Sequence, residues 1–207
     1  MDTWFRVCGI RNPEQKVTNK HFHIVALGAS AGGLQALKSL LEFLPCDTGF
    51  AFVVIQHVGP ESILAELLAK STEMPVHLIE DGMKVLPNHV YVNSPKIDVE
   101  LSGNILGIKG IERNYGEPKR CIDHFMSTLA DHRRDKAIGV VLSGTLSDGS
   151  KGIRKIKNAS GTTFAQDKSA QYKDMPQNAI KTGCVDFVLP PNRIAAEITR
   201  IANSLRT

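Results

Sequence analysis

Long hydrophobic runs are missing from this chain of 207 residues, and so is any strong excess of charge of one sign. No apolar segment approaches the roughly 20 residues that a membrane-spanning helix needs. Residues 1–8 hold too short an apolar stretch, with the wrong flanking residues, for a secretory signal. The formal net charge is only +4, and the lysines and arginines are distributed rather than grouped in a block. These absences argue against membrane insertion, export and nucleic-acid binding, and they predict a cytoplasmic protein.

Cysteine is also scarce. The chain has four cysteines without any Cys-x-x-Cys spacing: Cys8, Cys46, Cys121 and Cys184. This spread argues against a zinc site or a redox pair of the usual sequence pattern. His21 and His23 place two imidazoles on one face of a strand, but no third ligand accompanies them. The sequence therefore predicts no metal site.

A glycine-rich turn, Gly-Ala-Ser-Ala-Gly-Gly at residues 28–33, joins an apolar run to an amphipathic helix pattern. Small residues around Ser30 permit a sharp turn that exposes its hydroxyl beside the N–H groups of the helix start. A dinucleotide-binding fingerprint needs glycine in place of Ser30, and a P-loop needs lysine and a hydroxyl residue where Leu34 and Gln35 stand. The remaining pattern, Gly-x-Ser-x-Gly, is typical of a nucleophile elbow, although a serine that caps a helix also fits it.

Two partners for such a serine follow other predicted strands. His57 ends the apolar segment 52–56, and Asp148 follows the segment 138–142. Because the carboxyl ends of parallel strands share one edge of a sheet, we expect Ser30, His57 and Asp148 to converge there. A serine needs a base to accept its proton, and a histidine oriented by a carboxylate supplies one. Taken singly, His57 fits a turn and Asp148 a turn or a helix cap.

The hydrophobic periodicity predicts one α/β domain. Strands at 22–27 and 50–56 each precede a helix, at 34–44 and 61–71, as in a parallel βαβ unit. Helices and strands alternate again from residue 121 to the C-terminus. We predict a doubly wound, mostly parallel, Rossmann-like three-layer sheet, with the short strands between residues 75 and 110 forming an antiparallel extension. Residues 1–20 are predicted as a tail or linker, and 21–207 as the folded domain.

Seven motifs occur in a characteristic order. They are residues 28–33, Gln56-His57, Glu80-Asp81-Gly82, Leu-Pro-Asn-His-Val-Tyr at 86–91, Ser-Gly-Thr-Leu-Ser-Asp-Gly at 143–149, Ala165-Gln166-Asp167, and Met-Pro-Gln-Asn-Ala at 175–179. With them the chain resembles the catalytic domain of the chemotaxis protein-glutamate methylesterases (CheB-type) over residues 21–205. The resemblance implies that 21–207 is a methylesterase catalytic domain.

The resemblance also implies roles for individual residues. The family's nucleophile falls on Ser30, its general base on His57 and its histidine-orienting carboxylate on Asp148, and the Ala31 N–H is the oxyanion candidate. The implied reaction is hydrolysis of methyl esters on glutamate side chains of chemoreceptor signalling helices, in chemotaxis adaptation, with glutamine deamidation as a second activity. The resemblance implies that this reaction needs no cofactor. The alternative is a catalytically idle interaction module of the same fold, in which Ser30 only caps a helix.

The chain departs from the family pattern at two places. A common Gly-Met-Gly is replaced by Gly144-Thr145-Leu146, and a common Arg-Pro-Ser by Lys119-Arg120-Cys121. Thr145 and Arg120 are therefore candidates for altered substrate contacts, and a loop that carries Lys109, Arg113, Lys119 and Arg120 is a candidate basic patch.

Regulation is expected to differ as well. The Ser-Gly-Thr-x-x-Asp-Gly form resembles esterases that are fused to a receptor methyltransferase domain, which makes such a domain an expected partner and the chain an expected excised domain. The 20 residues before His21 are too few for the usual receiver domain, so we expect no phosphorylation control within this chain.

Overall fold

The computed structural model describes residues 22–57, 63–95, 97–110 and 120–206. The predicted tail 1–20 and most of the predicted basic loop lie outside this range. Within it, no helix is both long and apolar enough to cross a lipid bilayer.

Seven parallel strands form the main sheet. In chain order these are β1 (Ile24–Ala29), β2 (Ala51–Gln56), β3 (Val76–Leu78), β5 (Val90–Val92), β8 (Ala137–Val141), β9 (Thr162–Gln166) and β10 (Phe187–Leu189). Across the sheet they lie in the order β10-β9-β8-β1-β2-β5-β3. The chain builds outward from β1 in one direction and then returns to β8 on its other side. The strand order therefore reverses between β1 and β8, and crevices at such points hold the ligands of doubly wound proteins.

Helices cover both faces of this sheet. One face packs against α1 (Gly33–Leu41), α2 (Leu64–Ala69) and α6 (Pro191–Ser204), and the other against α3 (Cys121–Arg133), α4 (Ser150–Asn158) and α5 (Asp174–Lys181). A hydrophobic core lies on each face of the sheet, and alternate residues of β1 pack into the two cores. Val25 and Leu27 pack on the face of α1, and Ile24 and Ala26 on the face of α3. Every residue of β1 is buried, as expected for the centre of a parallel sheet. The doubly wound, three-layer prediction is confirmed.

A small antiparallel sheet lies beside the main one. Its strands are β4 (Met83–Lys84), β6 (Ile97–Ser102) and β7 (Ile105–Gly110), in the order β4-β7-β6. The expectation that all short strands between residues 75 and 110 belong to this extension is wrong, because β3 and β5 pair in parallel within the main sheet. Val85 and Leu86, predicted as a strand, follow β4. No helix pattern separates β3 from β5 in the sequence, so the sequence gives no sign that the two strands are parallel. The strands β6 and β7 form the expected hairpin.

Candidate active site

Ser30 lies directly after β1, in the turn that leads into α1. Its N–H donates to the carbonyl of Ser143, 3.0 Å away, and its own carbonyl accepts from the N–H of Gly33 at 2.9 Å. Gly32 closes the turn with a φ of 68°, and a Cβ there would lie 2.8 Å from both Ser143 Oγ and Gln171 Oε1. Only glycine combines that backbone conformation with so little space. The turn therefore holds the Ser30 hydroxyl at the carboxyl edge of the sheet.

The structure brings together the three side chains that the sequence placed at separate strand ends. Ser30 Oγ lies 3.2 Å from His57 Nδ1, and His57 Nε2 lies 2.9 Å from Asp148 Oδ2. Asp148 makes His57 Nε2 the protonated nitrogen, because a carboxylate accepts hydrogen bonds. His57 Nδ1 is then free to accept the proton of the Ser30 hydroxyl. The series has the connectivity of a serine, base and orienting carboxylate.

Asp148 is fixed by backbone donors as well as by His57. Its Oδ1 accepts from the N–H groups of Asp123 and Gly149, both at 2.9 Å, and its Oδ2 accepts from the N–H of Ile122 at 3.1 Å. Ile122 and Asp123 belong to the first turn of α3, where N–H groups lack partners in their own helix and the helix dipole favours negative charge. The side chain of Asp148 is only 3% exposed. These donors stabilise an ionised carboxylate that would otherwise be costly to bury.

A second buried carboxylate, Asp123, mirrors this arrangement. Its Oδ1 accepts from the N–H of Gly152 in the first turn of α4, at 2.9 Å. Burial raises the pKa of Asp123, and the nearby charge of Asp148 acts in the same direction. Arg120, one of the predicted substrate-side residues, lies 3.5 Å from Asp123 through Nη1. The described position of Arg120 thus connects it to Asp123, and the adjoining residues 111–119 lie outside the described part of the chain.

Ser143 and Gly144, which follow β8, pack against the turn that holds Ser30. Ser143 is fully buried, and its Oγ donates to the carbonyl of Ala31 at 2.8 Å while accepting from the N–H of Tyr172 at 3.0 Å. Its N–H donates to Gln166 Oε1, 2.9 Å away. Gly144 lies so close to Ser30 that a Cβ there would stand 2.9 Å from Ser30 Cβ and overlap the sulfur of Met175. Gln166 and Met175, known from the sequence only as motif members, therefore hold Ser143 and Gly144, and the carbonyl of Ser143 accepts the N–H of Ser30.

A cavity of about 450 Å³ opens beside the hydroxyl of Ser30. It is lined by the turn 30–35 together with Gln56, His57 and Gln171. Neither the N–H of Ala31 nor the N–H of Thr145 donates a hydrogen bond to another described residue. Ala31 lines the cavity, whereas Thr145 is exposed on the loop that follows Gly144. The predicted oxyanion and substrate-side residues thus differ in position, since Ala31 lines the cavity next to Ser30 and Thr145 is not among the residues that line it.

Sequence analysis gave no role at this site to Gln171, which lines the cavity, or to Cys121. Its sulfur, a nitrogen of His57 and a carboxylate oxygen of Asp148 all lie within 4.8 Å of one another. The three residues are far apart in sequence, so no spacing pattern indicated the cluster. His23, one of the two histidines considered above as metal ligands, stacks on the ring of Phe50 with ring centroids 4.7 Å apart. Burial lowers the pKa of His23.

Comparisons with known proteins identify relatives of this chain. The family model described as CheB methylesterase matches residues 25–198. A putative protein-glutamate methylesterase/protein-glutamine glutaminase of Leptospira interrogans is 32% identical over 186 residues, which cover 87% of this chain and 95% of that protein. A protein-glutamate methylesterase/protein-glutamine glutaminase 2 of Burkholderia lata is 38% identical over 190 residues. The match covers 88% of this chain but only 55% of the Burkholderia protein.

The fold has an experimental counterpart. The crystal structure of the Thermotoga maritima CheB methylesterase catalytic domain superposes with a TM-score of 0.82 at 29% identity, and the match covers 87% of this chain and 98% of that one. The family model spans most of the described domain and includes Ser30, His57 and Asp148. On these grounds the chain belongs to the CheB methylesterase family.

Proposed function

We propose that this domain is a serine hydrolase that removes methyl esters from glutamate side chains of chemoreceptors, and that the same site deamidates glutamine side chains. The observation that carries the proposal is the hydrogen-bonded series from Ser30 through His57 to the buried Asp148. The printed names of the Leptospira and Burkholderia relatives, which include both activities, support it.

The first half of the reaction acylates Ser30. His57 Nδ1 accepts the proton as Ser30 Oγ attacks the ester carbonyl, and Asp148 stabilises the imidazolium that forms. The N–H of Ala31 is the nearest donor for the oxyanion, with the N–H of Thr145 as a second candidate. Collapse of the tetrahedral intermediate breaks the bond to the methoxy oxygen, which takes the proton from His57 and leaves as methanol.

The second half releases the product. Water gives one proton to His57 Nδ1 and attacks the glutamyl ester of Ser30, and that proton returns to Ser30 Oγ as the side chain departs as a carboxylic acid, which then ionises in solvent. With a glutamine side chain the leaving group of the first half is ammonia, and the second half is unchanged. Each half needs a neutral His57 with its proton on Nε2, which is the form that Asp148 selects.

The test is methanol release from chemoreceptor signalling helices that a receptor methyltransferase has methylated beforehand. Ser30→Ala is expected to lower the release by several orders of magnitude without changing stability, because only the attacking group is removed. Ser102→Ala, an exposed serine in the small sheet, is the matched control and is expected to act as wild type. Equal release by wild type and Ser30→Ala would overturn the proposal. If the wild-type chain shows neither methanol release nor fluorophosphonate labelling of Ser30, the result favours an idle interaction module.

A further inference from the structure

Cys121 places a thiol beside His57 and Asp148, although the proposed reaction does not use it. It is the first residue of α3, its side chain is buried, and the next two N–H groups of the helix hold the carboxylate of Asp148. Together with His57 and Asp148 it offers one sulfur, one nitrogen and one oxygen within a 4.8 Å span. These are the three atom types with which proteins bind Zn²⁺.

We propose that His57, Cys121 and Asp148 form a binding site for Zn²⁺ that switches the hydrolase off. Zinc sites with an open position commonly use three protein ligands and a water. Ligands at about 2.0 Å from one tetrahedral ion stand about 3.3 Å apart, and a sulfur at about 2.3 Å stands about 3.5 Å from a nitrogen. His57 Nε2 and Asp148 Oδ2 are already 2.9 Å apart, so they need only a small separation to accept the ion between them. The sulfur needs a shift of little more than 1 Å from the outer limit of the cluster.

The charges of the site suit a dication. A thiolate at Cys121 and the carboxylate of Asp148 together neutralise Zn²⁺, which reduces the cost of burying the ion. The N–H groups of Asp123 and Gly149 remain on Asp148 Oδ1, and the N–H of Ile122 is the one backbone donor that shares Oδ2 with the ion. The side chain of His57 is 19% exposed, so the cluster is not completely sealed from solvent.

Zinc binding would reverse the hydrogen bond on which the nucleophile depends. The ion bonds to His57 Nε2, so the single proton of the neutral imidazole moves to Nδ1. Nδ1–H then donates to Ser30 Oγ and no longer accepts its proton. Cys121 loses its thiol proton to solvent, which makes the balance one proton released for each ion bound. Binding itself is independent of the proposed reaction, whereas the loss of turnover rests on it.

Cobalt is the probe for the site, because a bond from thiolate to Co²⁺ produces a charge-transfer absorption that carboxylate and imidazole do not. The full chain is titrated with Co²⁺, and Zn²⁺ is then added as a competitor in calorimetry. The matched pair of variants is Cys121→Ser and Cys184→Ser, the second cysteine being half-buried in another part of the fold. We expect one ion per chain and the absorption band in wild type and Cys184→Ser. In Cys121→Ser we expect no band and a Zn²⁺ affinity lower by at least about 100-fold.

The consequence for catalysis is measured separately, by fluorophosphonate labelling of Ser30 with Zn²⁺ and again after a chelator. Zinc is expected to suppress labelling in wild type and Cys184→Ser, and the chelator to restore it. Absence of the cobalt band from wild type, or its persistence in Cys121→Ser, would overturn the zinc site. Unchanged labelling of the zinc-loaded protein would overturn the switch. Absence of labelling without metal would instead count against the proposed hydrolase and leave the cobalt result standing.

Discussion

The close approach of Gly144 to the nucleophile predicts that a single added methyl group disables the site more than it destabilises the fold. In Gly144→Ala the new Cβ meets two neighbours of different kinds. One is the sulfur of Met175, which lies in a flexible side chain that can adopt another rotamer. The other is Ser30 Cβ, 2.9 Å from the new atom, which is attached directly to the backbone of the nucleophile turn. Real Cβ contacts are longer, so the Ser30 turn and the backbone of residue 144 must move apart.

The two contacts give two different magnitudes. Adding one methyl group to a packed site costs about 1–3 kcal/mol of folding free energy, and we expect a value near the lower end because Met175 yields. A displacement of the nucleophile by about 1 Å lowers turnover by roughly 100-fold. The matched control is Gly107→Ala in β7, where the nearest atom to the added Cβ is Glu100 Cγ at 3.4 Å and the strand backbone suits alanine.

Urea unfolding gives the stability of both variants, and the rate of fluorophosphonate labelling reports on Ser30 without requiring the natural substrate. We expect slow labelling of a folded Gly144→Ala and normal labelling of Gly107→Ala. A labelling rate for Gly144→Ala equal to that of wild type would refute the argument that Gly144 sets the position of Ser30. An unfolded Gly144→Ala would refute the argument that Met175 accommodates the methyl group.

Three further predictions concern the carboxylates and one strained residue. Asp148→Asn is expected to lower methanol release about 10⁴-fold, since the amide selects the wrong imidazole tautomer, and to lose about 1–3 kcal/mol in urea unfolding because its NH₂ faces backbone donors. Burial raises the pKa of Asp186, but hydrogen bonds from Lys157 and Thr163 outweigh it and hold the pKa below 3.8. The ionised side chain of Asp186 therefore stabilises the fold at pH values above 3.8. This stabilisation is lost as the pH falls through the lowered pKa of Asp186. The stability deficit of Asp186→Asn should accordingly shrink in acid, and a constant deficit would contradict this. Leu146 is 68% exposed with a φ of 64°; Leu146→Gly is expected to be about 0.5–1 kcal/mol more stable than Leu146→Ala by the same assay, because relief of backbone strain exceeds the added entropy of the unfolded chain.

The parts of the fold that could be predicted from sequence are those with a strong local pattern. Helices α1, α4 and α6 follow apolar stripes, and β1 and β2 are apolar runs that end at Ser30 and His57. The convergence of Ser30, His57 and Asp148 follows from the rule that parallel strands end at one edge. The parallel pairing of β3 and β5 depends on where β2 lies in space, and three-residue strands carry too little pattern to reveal a neighbour.

The surroundings of the catalytic series were beyond prediction for a different reason. Cys121, Gln166 and Met175 reach the site through tertiary contacts. Cysteine and methionine are common in ordinary cores and glutamine on ordinary surfaces, so none of these residue types is a signal by itself. The N–H donors of Ile122 and Asp123 carry no sequence signal, because every helix start offers such groups whatever its side chains are. Only the position of α3 against the loop after β8 turns those groups into partners of Asp148.

The two buried carboxylates explain how this position is maintained. Asp148 lies just before α4 and accepts hydrogen bonds from the first turn of α3, while Asp123 lies in α3 and accepts one from the first turn of α4. Each helix thus supplies a carboxylate to the positive end of the other, and each dipole stabilises its partner's charge. A shift of either helix would break hydrogen bonds at both ends of the exchange, so the two cannot slide independently. The orientation of His57 therefore depends on the packing of α3 against α4, which makes the catalytic geometry a property of the helical layer as well as of the loops.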